Sequence, residues 1–169
     1  MKSLKFYSYK LNSSFLKEAL RSYSASIEDR KKGTFLIKKN PELKQELIDL
    51  AFSKKQDQEN IVAFWVFERL VLIDEIIEIK QYINPLLNAF RNQKHKSKRR
   101  GFAKILYCYC ENEKNRAQLS TNQIDIIVAC CFDTLIEVKK VAPKVFTLKT
   151  LIYFKDHNGW IIEELKSFI

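Results

Sequence analysis

The stretch from Ile61 to Ile73, IVAFWVFERLVLI, is apolar on nearly every side of a helix. Such a helix is stable only where neighbours cover it on more than one face. A central helix of this kind needs several others around it, and little else in the chain competes with helix. Three glycines and three prolines in 169 residues are too few for the turns of an all-β chain or for glycine-rich phosphate loops. The expected class is all-α. A hydrophobic content of 46% is enough to fill the core of one domain spanning residues 1–169.

Helical periodicity extends on both sides. Phe15, Leu16, Ala19, Leu20, Tyr23 and Ile27 share a face within 13–28, DRKKGTFLIKKN reads as a linker or short turn, and Asn40-Pro41 reads as a cap and first helical residue. After Asp74, the residues Ile76, Ile79, Ile83, Leu86, Leu87 and Phe90 form one stripe, with Pro85 kinking it or opening a new helix capped by Asn84. A further helix runs from Gly101 to Cys110. Ser120 and Gln123 form a capping box before IDIIVACCFDTLI, where Ile124, Ile127, Val128, Cys131 and Leu135 share a face. In VKKVAPKVFTLKTL the spacing of Val141, Val145, Leu148 and Ile152 predicts a helix starting near Lys139 or Lys140, which puts Pro143 in or just past its first turn. The last helix, in 158–169, turns Trp160, Ile161, Leu165, Phe168 and Ile169 inward.

Striped and more buried helices alternate three times. Setting the buried ones in register aligns Val62-Ala63 with Arg100-Gly101 and Val141-Ala142, and an apolar residue follows each small one four positions on: Phe67, Ile105 and Phe146. Two helices per unit of about 40 residues is the period of HEAT and armadillo repeats. The text IVAFWVFERL, KRRGFAKIL, CFDTL, VAPKVFTLKTL and EELKSFI, within residues 40–169, resembles a family of short, mostly bacterial HEAT-repeat-like (armadillo-type) proteins, distantly similar to DNA-alkylation-repair helical repeats. That resemblance implies a right-handed α-α superhelix of about three helix pairs with an N-terminal helix, residues 1–40 forming a cap and 41–169 the repeats.

Catalytic and metal chemistry finds little support. Adjacent helical residues point about 100° apart and i, i+2 residues about 200° apart, so neither Cys130/Cys131 nor Cys108/Cys110 can turn both thiolates on one ion. No metal, cofactor or catalytic residue is expected. Glu68-Arg69 in the central helix reads as an amphipathic exit or an ion pair. The resemblance to alkylation-repair glycosylases implies a groove along which Trp65, Glu68, Arg69, Arg100, Lys104 and Lys144 would lie. That family spaces its Trp and Asp by four residues; here Arg69 follows Trp65 at that distance, so a glycosylase is the least favoured reading.

Charge carries the best functional signal. The net +10 is uneven, with +6 in 1–58, −2 in 59–93, +6 in 94–118 and zero in 119–169. Lys54-Lys55, Lys98-Arg99-Arg100 and Lys139-Lys140 each precede a buried helix, which places all three on turns along one edge of a repeat stack. A basic edge of that kind is either a solvated face or a surface for an anion, nucleic acid or acidic protein. The expected function is a non-catalytic binding module or scaffold that engages an acidic protein partner through its groove and basic edge, with nucleic-acid binding the alternative. With no signal-type start and no long apolar span, a cytoplasmic location and no membrane partner are expected. Nothing in the sequence indicates an oligomeric state.

Overall fold

In a computed structural model the chain is all-helical; the structure describes residues 13–137 and 141–168. Among the described residues there are ten α-helices, two short 3-10 segments and no strand. The helices are α1 (Ser13–Arg21), α2 (Ile27–Lys39), α3 (Lys44–Phe52), α4 (Gln58–Leu72), α5 (Ile83–Asn92), α6 (Lys96–Glu111), α7 (Glu113–Arg116), α8 (Thr121–Glu137), α9 (Val141–Tyr153) and α10 (Gly159–Lys166). None among the described residues is long and apolar enough to cross a membrane.

The central helix is α4, and it is covered as its composition demands. Asn60, Val62, Ala63, Phe64, Val66, Phe67 and Leu70 are buried against α1, α2, α3 and α6. Helices α4, α6 and α9 touch in succession, as do α3, α5 and α8, while α3 packs on α4, α5 on α6 and α8 on α9. The result is two rows of helices joined pair by pair. Helix α10 seals the far end of the second row through α8: Phe132 meets Trp160 at 5.4 Å and Phe168 at 6.1 Å.

The two rows meet at five phenylalanines. Phe52 of α3, Phe64 and Phe67 of α4, Phe90 of α5 and Phe102 of α6 are linked by ring-centroid distances from 4.5 to 6.2 Å. Edge-on and tilted pairs of this kind contribute beyond their buried area. Close approach of α4 and α6 depends on Gly101, where an added Cβ would stand 2.3 Å from Cε1 of Phe64.

Several local expectations need correction. The stretch read as a linker is α2, opened by Ser26, whose hydroxyl accepts from the amide of Asp29, with acids in its first turn and lysines in its last. Its Gly33, which reads as a turn former, instead lets α2 approach α4: a Cβ there would lie 2.3 Å from Cγ2 of Val66. Two helices, not one, thus precede the first pair. Asn40 ends α2, its side-chain amide donating to the carbonyl of Leu36, and does not cap α3 through its side chain. After α4 the chain turns at Glu75, with φ 50°, and resumes helix only at the 3-10 turn Ile79–Tyr82; the stripe beginning at Ile76 is therefore interrupted, and Ile76 is exposed. Pro85 occupies the first turn of α5, where its missing donor has no intrahelical acceptor, and Asn84 accepts from Gln123 instead of capping.

The Ser120–Gln123 box forms as expected, each residue's side chain bonding the other's amide. Pro143 is the third residue of α9 and is buried. Lys139 and Lys140, the expected start of that helix, and Ile169 lie outside the described residues. The exposed faces are a second correction: on α9 Val141, Val145 and Ile152 are exposed, as is Trp160 at the start of α10.

Replacing Gly101 by Val is expected to lower stability by about 1–3 kcal/mol, because neither branch fits against the Phe64 ring. Gly159→Ala, with nothing within 4 Å of its Cβ, should leave the thermal midpoint unchanged or slightly raised. Circular-dichroism melts of both variants check the assignment.

Candidate functional site

The three basic pairs and triplets meet different fates. Lys54 and Lys55 are exposed in the turn between α3 and α4, and Arg100 is exposed on α6. Arg99 has a side chain only 12% exposed; its guanidinium is paired with Glu137 of α8 and donates to the Thr134 hydroxyl at 3.1 Å. Lys98 is fully buried. The described part of the expected edge is therefore broken in its middle, and Lys139 and Lys140 lie outside the described residues.

Lys98 stands in the third position of α6 and enters the seam between α3 and α4. Its ammonium donates to the carbonyl of Ser53 at 2.9 Å, the residue that ends α3, and lies 5.9 Å from the Phe64 ring centre. No carboxylate is paired with it among the described residues. The negative end of the α3 dipole and the aromatic face are what offset its charge. Burial still pushes its pKa down, to about 8. Gln93 is buried beside it, accepting from the amide of His95 at 2.9 Å. His95 is itself pushed down, first by burial and then by Lys98, and its Nδ1 is buried with no partner among the described residues.

With Lys98 inside, the exposed cations around the start of α6 form a different feature. Arg91, Asn92, Gln93, Lys94, Lys96, Arg99 and Glu137 line a cleft of about 460 Å³. Four of these seven residues are cationic. The single carboxylate, Glu137, is held by Arg99. The helix behind them has no side-chain cap at His95 and no acid in its first turn, so its leading amides and partial positive charge add to the same field. An arrangement of this kind binds a carboxylate or another anion by charge-assisted hydrogen bonds.

Of the expected groove residues, Glu68 and Lys104 pair with each other, and Trp65 and Arg69 are engaged by residues outside that set. The guanidinium of Arg30, from α2, lies 5.1 Å over the Trp65 ring. Glu68 is 3.6 Å from Lys104, and Arg69 is 3.5 Å from Asp74, which also takes Lys38 at 3.0 Å. Lys144 is half-buried on α9, apart from α4. Glu68 and Arg69 thus tie α4 to α6 and to the turn that follows α4. Cys110, Cys130 and Cys131 are buried free thiols, with burial pushing Cys110 up to about 12 and Cys130 up to about 11. They fill core volume.

Sequence reasoning missed Arg91, Lys94 and Lys96 as site residues, although the run KHKSKRR held the signal. It also missed Arg30, which lay in the stretch read as a linker. Compared with known proteins, the chain matches no family model, no curated protein and no solved structure.

Lys98 makes stability depend on pH in an uncommon direction. Its folded pKa of about 8 lies below the ordinary lysine value of 10.5, so between these values the unfolded chain binds more protons and stability rises with pH. Buried thiols whose pKa values are raised oppose this above their unfolded values, so the difference from Lys98→Met isolates the lysine. Urea unfolding is expected to show Lys98→Met more stable than wild type at pH 7, with the gap closing by about 1.4 kcal/mol per pH unit from pH 8 towards 10.5. A gap independent of pH would place the ammonium in water.

Proposed function

We propose that this protein is a non-catalytic helical-repeat binding module, a right-handed α-solenoid in which the helix pairs α3/α4, α5/α6 and α8/α9 are the repeats. It engages an acidic segment of a partner protein at the cleft before α6. The observation that carries this reading is the convergence of Arg91, Lys94, Lys96 and Arg99 on one cleft whose single carboxylate is already paired. The succession of contacts along α4, α6 and α9 and along α3, α5 and α8, with the HEAT-like period in the sequence, supports the solenoid.

Protein is favoured over nucleic acid by the extent of the basic surface. A duplex or single strand is held by a track of cations that neutralises several successive phosphates. Here Lys98 is removed into the core and Arg99 is tied to Glu137, so the described series does not run on from Lys54 and Lys55 as a track. A cleft of this size suits one or two carboxylates of an extended acidic segment. A base-excision reading is disfavoured because Trp65 is stacked by Arg30 and Glu68 is paired with Lys104, leaving neither free for a flipped base.

A fluorescent peptide of alternating Asp, Glu and Gly, which does not form a stable helix, tests the cleft. Charge reversal of Arg91, Lys94 and Lys96 to Glu is expected to weaken its binding by roughly tenfold or more, through like-charge repulsion at the site, with affinity falling as salt rises. Equal binding by wild type and variant would sink the cleft as the site. Tighter binding of duplex DNA than of the peptide, with a steep salt slope, would instead favour a nucleic-acid partner.

A further inference from the structure

Helix α9 is amphipathic in the wrong sense for a core helix. At about 100° per residue, Val141, Val145, Leu148 and Ile152 fall within an arc of about 60°. That arc faces away from the core: Val141 is 75% exposed, Ile152 55% and Val145 40%, with Leu148 half-buried. The opposite face is buried against α6 and α8 and carries Pro143, Thr147 and Thr150. Both threonine hydroxyls are satisfied within the helix, Thr147 donating to the Pro143 carbonyl at 3.1 Å and Thr150 to that of Phe146 at 2.8 Å. The buried side thus combines these threonines with Leu151, while Val141, Val145 and Ile152 are left outside. Scattered exposed apolar residues are ordinary, but a continuous stripe along about three turns marks a surface that is covered when the protein works.

Charge says what covers it. On the same wheel Lys149 flanks the stripe on one side and Lys144 on the other, and Lys155 follows in the turn after α9. The segment 141–155 contains no acid, for a net charge of +3, and none of the three lysines is ion-paired among the described residues. Lys149 instead lies 5.3 Å over the Tyr107 ring. A second copy presenting the same face would set three lysines against three. The chain's own first twelve residues, with Lys2, Lys5 and Lys10 and no acid, have the same sign. Both occupants are disfavoured by like-charge juxtaposition.

We infer that the outer face of α9 is a docking site for an amphipathic helix of a partner protein, whose apolar stripe is bordered by Asp or Glu on both sides. The apolar residues of the partner cover Val141, Val145, Leu148 and Ile152, and its acids reach Lys144, Lys149 and Lys155. This is helix-on-helix recognition, in which anchors at i, i+4, i+7 and i+11 give affinity and flanking charges give selectivity. It is a second surface, on a different helix from the cleft before α6, and it stands if that cleft binds nothing.

The probe is a synthetic helical peptide with Leu at i, i+4, i+7 and i+11 and Glu on both flanks, its binding to the full chain followed by fluorescence anisotropy. A matched peptide with Lys flanks is the control. Wild type is expected to bind the Glu-flanked peptide and not the Lys-flanked one. Val145→Asp and Ile152→Asp, both at exposed positions, should each weaken it by about tenfold, as expected for losing one buried aliphatic contact. The triple change Lys144→Glu, Lys149→Glu and Lys155→Glu should reverse the preference between the two peptides, and it keeps the test open should an aspartate variant unfold. Charge reversal of Arg91, Lys94 and Lys96, which lie on α5, the turn after it and the start of α6, is the control for general electrostatics and should weaken this binding less than the triple change does. The inference is overturned if wild type fails to bind the Glu-flanked peptide, or if binding survives both aspartates and the triple reversal. Self-association seen by sedimentation that Ile152→Asp abolishes and the peptide does not displace would assign the face to a second copy and overturn it as well.

Discussion

The fold depends on the junction where Phe52, Phe64, Phe67, Phe90 and Phe102 meet. These rings come from four helices, so no pair of helices can form its own core without the others. Gly101 sets how closely α4 and α6 approach, and through them the spacing of the two rows. Everything exposed, including the cleft before α6, inherits its geometry from this contact. The four cations converge there because α6 begins where α5 ends, with Gln93 and His95 holding the turn by a side-chain to backbone bond.

Lys98 shows how costly groups are accommodated in such a junction. A lysine in the first turn of a helix faces the positive end of that helix's dipole, and burial removes its water. The end of α3 compensates by presenting Ser53's carbonyl, and Phe64 presents a ring face. The residue therefore fastens α6 to α3 across the seam. The neighbouring cations Lys94, Lys96 and Arg99 are left to shape the exterior, with Glu137 from α8 drawn to Arg99. With Arg100 also exposed, one charge inside and four outside divide a single basic run into a structural part and a surface part.

Much of the architecture was legible in the chain. The all-helical class followed from the scarcity of turn formers, the central place of α4 from its all-round apolarity, and the capping box at Ser120–Gln123 from short-range chemistry alone. Failures came where local signals had to be weighed against neighbours. Helix α2 was hidden because its one glycine and its lysines look like a turn, yet Gly33 is there for close packing on Val66. The stripe after Asp74 was read as continuous because periodicity does not register the turn at Glu75. At the candidate site the basic residues were visible as a run, but the cleft needs Arg91 from the preceding helix and Glu137 from another, and no local spacing links them.

By itself the sequence determined that this protein is helical, which segments are helices in most cases, and that its charge is concentrated in a few basic runs. Those properties are local, set by residues within a few positions of one another. Only the tertiary structure decided which side of α9 is inside and where Lys98 lies, whereas the inner face of α8 was legible from its periodicity. Val141, Val145, Leu148 and Ile152 read as the mark of a buried helix, and yet they face outward while Thr147 and Thr150 are sealed within; Lys98 reads as surface and lies in the core. Burial belongs to the contact between elements: a threonine whose hydroxyl is satisfied by its own helix costs little to bury, and the cost of burying a lysine is reduced where another helix's carbonyl meets it. Which face turns inward is settled by those partners, and they are distant in the chain.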